Sequence, residues 1–484
     1  MLANVMISPR RWVALGAAAG LILAGCGDDT EDPAVTTEAA EAGPVPATSA
    51  AAGTTTPTES PTASTSASGD TGGDSAVHGA TEDEIRIGIT WLNYDSEFDE
   101  ELGTELGSQA PGTGTEADLA QIVVDAINAD GGIAGRQIVP VYYGYGLSSL
   151  FTASDRSEAE QAMCARFTED HDVYAMMPYL ATEGVITQCA ADSETILVGT
   201  GGAQDVPEPD RLAEIGEYWY RPSWISPEHR DQALVDRLVA NDFFGPDARV
   251  GLLIAPSAAS QASVESTLKP ALAEAGVEVA SEVVFPDFFE SPWNTYVQRF
   301  VADGVTHVLL SSCSGCVAGG FMHAAEDQGF HPKYGLTSEQ QLGSTPEAVG
   351  GDVPAAQLVG SRAIGWYPFG DVAWASGADI PSVGPAHERC RAIFDAAGEQ
   401  ADVAPHFCEG LFFLQAVLEN AEGLEPSAFQ AAVESLGSSY DTVSTPATWF
   451  GPGQHSGAAA VRDIVFDDQG CECFAYEGDL HPIE

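Results

Sequence analysis

Apolar and polar positions alternate between helical and strand periods from about residue 85 onward. The clearest unit runs from Asp118 to Gly146. Leu119, Ile122, Val123, Ala126 and Ile127 fall at i, i+3, i+4, i+7 and i+8, which predicts an amphipathic helix. Asn128 to Gly132 ends it, with glycines free to take positive φ at the helix C-terminus. Residues 138–143 form a short β-branched and aromatic run, read as a buried strand. With residues 85–90 in front, the unit is strand–helix–strand, the opening of a parallel sheet.

The alternation continues through a helix at 155–168 and a strand at 173–177. A helix opened by Thr182 or Glu183 then carries Cys189, and 196–198 is the next strand. Residues 218–224 lead into a helix at 227–241. There the pattern restarts. A strand at 249–255 precedes a helix at 261–275, which Pro270 should interrupt. Val277, Val279, Ser281, Val283 and Phe285 alternate as a strand. A helix (291–303), a strand (305–311) and a helix (317–328) follow. The restart predicts an α/β chain with two doubly wound, Rossmann-like lobes. No repeat of 20 to 50 residues is present.

The N-terminal segment has a different pattern. Arg10 and Arg11 precede an apolar run, 12–24, too short to span a bilayer in a mature protein. It ends in Leu23-Ala24-Gly25-Cys26, which looks like a bacterial lipobox. Residues 1–25 therefore read as a signal peptide, with Cys26 lipidated as the first mature residue. Residues 27–80 contain no Lys or Arg and few large apolar side chains. Such a segment buries too little apolar area to offset its ordering entropy, so 26–80 reads as a disordered tether. It would space a globular receptor from a lipid bilayer anchor.

Charge narrows the partners. The 484 residues carry 72 acidic against 18 basic side chains, a net charge of −54, and the only lysines are Lys269 and Lys333. Nucleic acid is excluded on this ground, because phosphate neutralisation needs clustered Lys and Arg. The acidity suits a solvated surface in salty surroundings.

The segment Ile127-Asn128-Ala129-Asp130-Gly131-Gly132-Ile133-Ala134-Gly135-Arg136 resembles the first crossover of the Leu/Ile/Val-binding protein family, the solute receptors of ABC importers. Later matches keep the family order. Residues 357–365 and Trp366-Tyr367-Pro368 resemble its return crossover. The helices predicted at 385–397 and 405–421 resemble its helix pair. Phe450-Gly451-Pro452 and His455-Ser456-Gly457 resemble the turn before its last strands, here 461–466 and 471–476. The resemblance implies a type I periplasmic binding protein with three chain crossings. One lobe would take 81–222 with 367–443, and the other 223–366 with 444–484. It also implies an extracytoplasmic receptor that is no enzyme, needs no cofactor, and docks on a membrane permease.

Apart from Cys26 there are eight cysteines, an even number fit for an oxidising compartment. Cys164 and Cys189 sit on neighbouring elements, where the family often has a bridge. Cys390 and Cys408 lie on the two adjacent helices. Cys313-Ser-Gly-Cys316 and Cys471-Glu-Cys473 stay open between local closure and cross-linking to one another. Cys313 and Cys316 also carry a rival reading, a thiol–disulfide oxidoreductase, since a strand followed by C-x-x-C and a helix lowers a thiol pKa. The chain is long and cysteine-rich for that role, and no metal set is assigned. Gly199-Thr200-Gly201-Gly202 lacks the lysine of a P-loop.

Open α/β lobes bind at the carboxyl ends of their strands. Candidate ligand contacts are therefore Trp91, Thr182, Glu183, Ala203, Ser257, Ser260, Ser314 and Glu339. Ser338-Glu339 resembles the family turn whose glutamate accepts a ligand ammonium. Thr182 stands where the family sets a hydroxyl against the ligand carboxylate. Two positions depart from the family: Pro256 to Ser260 lacks its tyrosine, and Ala203 or Gln204 replaces a threonine. The expected solute is small and polar, amino-acid-like or an amide. A sensing lipoprotein without transport is the alternative to an importer subunit.

Overall fold

The computed structural model describes residues 77–93, 116–146, 153–179, 184–200, 209–286, 291–311, 315–343, 353–372, 382–400 and 404–483. Cys26 and the signal and tether before residue 77 lie outside them. So do Thr182, Glu183, Ala203, Cys313 and Ser314; of Cys316 only the backbone is described, in the helix Gly315–Asp327.

Strands β1 (Glu84–Asn93) and β2 (Gln137–Gly146) pair in parallel along their whole length, joined by the helix Glu116–Ala129. The buried face of that helix is Leu119, Ala120, Val123, Val124 and Ile127. It is rotated from the expected stripe because the helix also packs on the helices Pro385–Ala397 and Pro405–Leu418. The turn behind it depends on glycine. Gly132 has φ +79°, and a Cβ there would stand 1.9 Å from the Arg136 carbonyl oxygen. The Asn128 side chain then fastens the turn to β2, accepting from Ile138 N–H at 2.7 Å and donating to its carbonyl at 3.0 Å.

Three shorter strands, β3 (Ala175–Met177), β4 (Ile196–Val198) and β5 (Trp219–Tyr220), complete an all-parallel sheet in the order β2-β1-β3-β4-β5. The second sheet contains β6 (Arg249–Ile254), β7 (Glu278–Val284), β8 (His307–Ser311), β9 (Lys333–Thr337) and β10 (Arg362–Gly365). It ends in an antiparallel hairpin, β11 (Ala460–Asp467) and β12 (Cys473–Pro482). Its order is β12-β11-β10-β9-β8-β6-β7. The parallel part, β7-β6-β8-β9-β10, repeats the strand order of the first sheet, so the doubly wound expectation holds for both.

Apolar side chains cover both faces of each sheet. Ile85, Ile87 and Ile89 meet the helices 116–129 and 405–418 on one face of the first sheet; Phe167, Met176 and Leu197 fill the other. Leu253, Leu310 and Phe321 lie on one face of the second sheet, and Leu234, Leu252 and Trp366 on the opposite face.

Pro270 does not break its helix. A wide turn, Val264–Leu268, separates Ala258–Ser263 from Lys269–Glu274, and Lys269 N–H reaches the Val264 carbonyl five residues back. That widening relieves the clash between the proline ring and the preceding turn. Two helices, Pro209–Ile215 and Pro426–Leu436, lack an expected counterpart.

The chain passes between the sheets after β5, after β10 and before β11. The first and third passages pair through backbone bonds: Arg221 N–H to the His455 carbonyl at 2.7 Å, and Ala458 N–H to the Trp224 carbonyl at 2.8 Å. Buried Glu409 ties the third passage to the helix 405–418, accepting from the Tyr440 and Thr442 hydroxyls and Val443 N–H. Burial pushes its carboxyl above the usual range.

Candidate functional site

A sheet wound in the order 2-1-3-4-5 changes winding direction between its first and third strands, and ligands lodge outside that point. Here the two points lie between β1 and β3, and between β6 and β8.

At the first, buried Thr90 accepts from Tyr179 N–H at 2.8 Å, fixing the loop that leaves β3. The Tyr179 ring meets His406 at 4.9 Å. Desolvation lowers the His406 pKa, so the imidazole there is neutral. His406 comes close because Gly410 lets its helix settle on the strand ends: a Cβ at Gly410 would stand 2.4 Å from Met177 Cε. Trp91, at the end of β1, is half-buried and packs edge-on against Tyr142, 5.7 Å between centroids. It covers the core there.

On the second sheet, Ser257 caps the helix after β6, accepting from Ser260 N–H and donating to its hydroxyl at 2.9 Å. Both serines are engaged with each other. Glu339 follows β9 in a short 3-10 turn whose N-cap is Thr337. Its Oε2 accepts from Arg230 Nη1 at 2.9 Å, and its Oε1 faces Trp224 Nε1 at 3.4 Å. Arg230 also donates to Asp231 at 2.8 Å and to the Ser311 hydroxyl at 3.4 Å. Ser263 donates to the other Asp231 oxygen at 2.7 Å. Burial would lower the Arg230 pKa, but the two carboxylates outweigh it and raise it.

The structure thus brings Glu339 and Ser311 together through Arg230, a residue absent from the strand-end candidates. A signal existed. Arg230 and Asp231 extend the buried stripe Leu234, Val235 and Leu238 by one turn, so both belong to the inner face of the helix Pro227–Ala240. Polar residues on an apolar stripe are enclosed, and enclosed charges are paired.

Outside the strand ends, Cys164 and Cys189, Cys390 and Cys408, and Cys471 and Cys473 are placed with their sulfurs at bonding distance.

A family profile described as "Periplasmic binding protein" matches residues 102–465. A search of the curated proteins returned no match. Among solved structures, the chain is similar to a possible leucine/isoleucine/valine-binding protein from Rhodopirellula baltica SH 1. Identity is 15% and the TM-score 0.56, over 84% of this chain and 98% of that one. It is also similar to a solute binding protein of an ABC transporter from Rhodopseudomonas palustris BisB5, solved with 3,4-dihydroxybenzoic acid. That match has 13% identity and a TM-score of 0.57, over 83% and 98% of the two chains. A third is an ABC transporter substrate-binding protein from Desulfitobacterium hafniense in complex with Leu, at 13% identity and TM-score 0.50, over 82% and 100%. At these identities the structural matches establish the fold, which is that of a type I periplasmic binding protein.

Proposed function

The chain belongs to the periplasmic binding protein family, and from that membership we propose that it is the extracytoplasmic solute receptor of an ABC importer. Two lobes, 81–222 with 367–443 and 223–366 with 444–484, would close over a solute by bending the three passages between them, a hinge closure of the kind periplasmic receptors use. A lipid on Cys26 would hold the receptor at the membrane, where a permease receives the solute.

The observation that carries this reading is Glu339 at the end of β9, oriented by Arg230 and Trp224. A carboxylate has about four acceptor sites. Two are used, which leaves acceptors for a donor on the solute. Because Arg230 already lies against that carboxylate, the solute does not need a full positive charge. An amine, an amide or a hydroxyl suffices. The solute class is therefore amino-acid-like, amide or hydroxylated aromatic acid, and it includes the leucine and dihydroxybenzoate of the two structural neighbours. Neutral His406 and Tyr179 supply donors from the facing lobe.

A thermal-shift screen of the mature protein against amino acids, amides and hydroxybenzoates tests this. One class should raise the melting temperature in a saturable way; a flat response across all three would remove the proposal. Loss of uptake on deleting the partner permease separates importer from sensor. Mass spectrometry should find a diacylglyceryl group on Cys26. We also propose that the three close cysteine pairs are disulfides, so thiol reagents should find none of those six reactive in the native protein. Removing Cys164–Cys189 should cost roughly 2–5 kcal/mol.

A further inference from the structure

We propose that a recess beside the second and third passages is a second binding site, for a small monoanion of halide to acetate size. Arg462, near the start of β11, stands opposite Gly365 of β10. A register shift falls directly after it, between Arg462 and Asp463. Its guanidinium lies 5.0 Å over the Tyr476 ring. Its Nε is buried without an acceptor, and it meets no carboxylate among the described residues. Arg237, Arg249 and Arg362, by contrast, each pair with an acid. Arg166 and Arg389 also lack an acid, but a carbonyl and an amide oxygen accept from them. The buried Arg462 Nε has neither, which leaves a donor for a bound anion. Asp371 approaches the same tyrosine but takes its hydroxyl, at 2.8 Å, rather than the guanidinium.

Gly365, Pro368, Ser382, Val383, Pro446 and Leu480 complete the lining. Proline walls disfavour a dianion, which needs more donors than one guanidinium and one hydroxyl provide. The cavity measures about 40 Å³. One water requires roughly 10–15 Å³ on the same measure, so the space suits two or three water-sized guests and excludes an amino acid. Pro368 and Pro446 belong to two different passages, so an anion there would brace them against each other. Neither Arg230 nor Glu339 lines the recess, so binding there does not depend on which solute those two receive.

The test uses the full-length protein in sodium gluconate, an anion too large for the recess. Chloride, bromide and acetate are titrated by calorimetry at constant ionic strength. The expected result is saturable binding of one anion per chain, at least tenfold weaker in Arg462→Gln. Bromide-soaked crystals should show the halide beside Arg462. A response that never saturates, or equal affinity in Arg462→Gln, would overturn the proposal. Should that variant fail to fold, Ser382→Phe fills the recess from an exposed position. Binding that survives in Ser382→Phe contradicts the site just as directly.

Discussion

Glu339 and Asp371 lie just beyond two adjacent strands, β9 and β10, yet their surroundings differ in kind. Glu339 has a guanidinium at 2.9 Å and an indole N–H behind it. Asp371 is fully buried and has only neutral donors, the Tyr476 hydroxyl at 2.8 Å and Tyr367 N–H at 3.1 Å; its second oxygen has no partner among the described residues. Burial therefore raises the Asp371 pKa to about 7, against weaker opposition from Ser338, Tyr476 and Tyr367. One carboxyl is balanced by a cation where a solute would arrive. The other is held by uncharged groups where the chain passes between sheets.

Removing the cation should erase the distinction. Arg230→Met leaves Asp231 and Glu339 enclosed without a counter-charge, and breaking such a buried pair costs about 3–5 kcal/mol. Denaturant unfolding measures this. Adding Asp231→Asn should restore part of the loss; no recovery would mean that Arg230 acts through packing rather than charge.

The second contrast is one of pH. The folded Asp371 has a raised pKa, so between roughly pH 4 and pH 7 the folded state holds a proton that the unfolded chain has released. Stability then falls as pH rises through that window and levels off above about 7. Asp371→Asn should lack this loss and gain up to roughly 4 kcal/mol over the parent at pH 8, a shift of about three units at 1.36 kcal/mol each. Parallel stability curves for parent and variant would show that Asp371 is not buried as a neutral group.

A smaller effect separates the two donors on Glu339. Trp224→Phe deletes a long contact of 3.4 Å, partly compensated by the remaining edge-on and tilted ring contacts with Trp366 and Tyr367. It should change solute affinity by under about 1 kcal/mol. A larger loss would make the indole a direct solute contact.

Much of the fold was legible in the chain. Buried parallel strands are β-branched runs, and the restart after residue 241 anticipates a second sheet wound like the first. The strand-end rule pointed to Glu339, which follows β9 in a 3-10 turn, and to Ser257, which serves as a helix cap. What stayed hidden depends on distant pairing. Arg230 is 109 residues from Glu339. Asp371 sits in a Pro-Phe-Gly-Asp stretch that looks like a solvated turn, and its enclosure depends on Ser338 and on Tyr476, 105 residues on. The helix Pro209–Ile215 is too short for its period to show. Glu409 looks like an ordinary helix acid until the chain returns at Tyr440 to Val443.

The central claim is that Glu339 receives the solute. Calorimetry with the solute that emerges from the thermal-shift screen, on the parent and on Glu339→Gln, measures it directly. Truncating one partner of a buried charged contact costs about 2–4 kcal/mol, so the variant should bind that much more weakly while still folding. Equal affinity in the two proteins would take Glu339 out of the binding site and contradict the account.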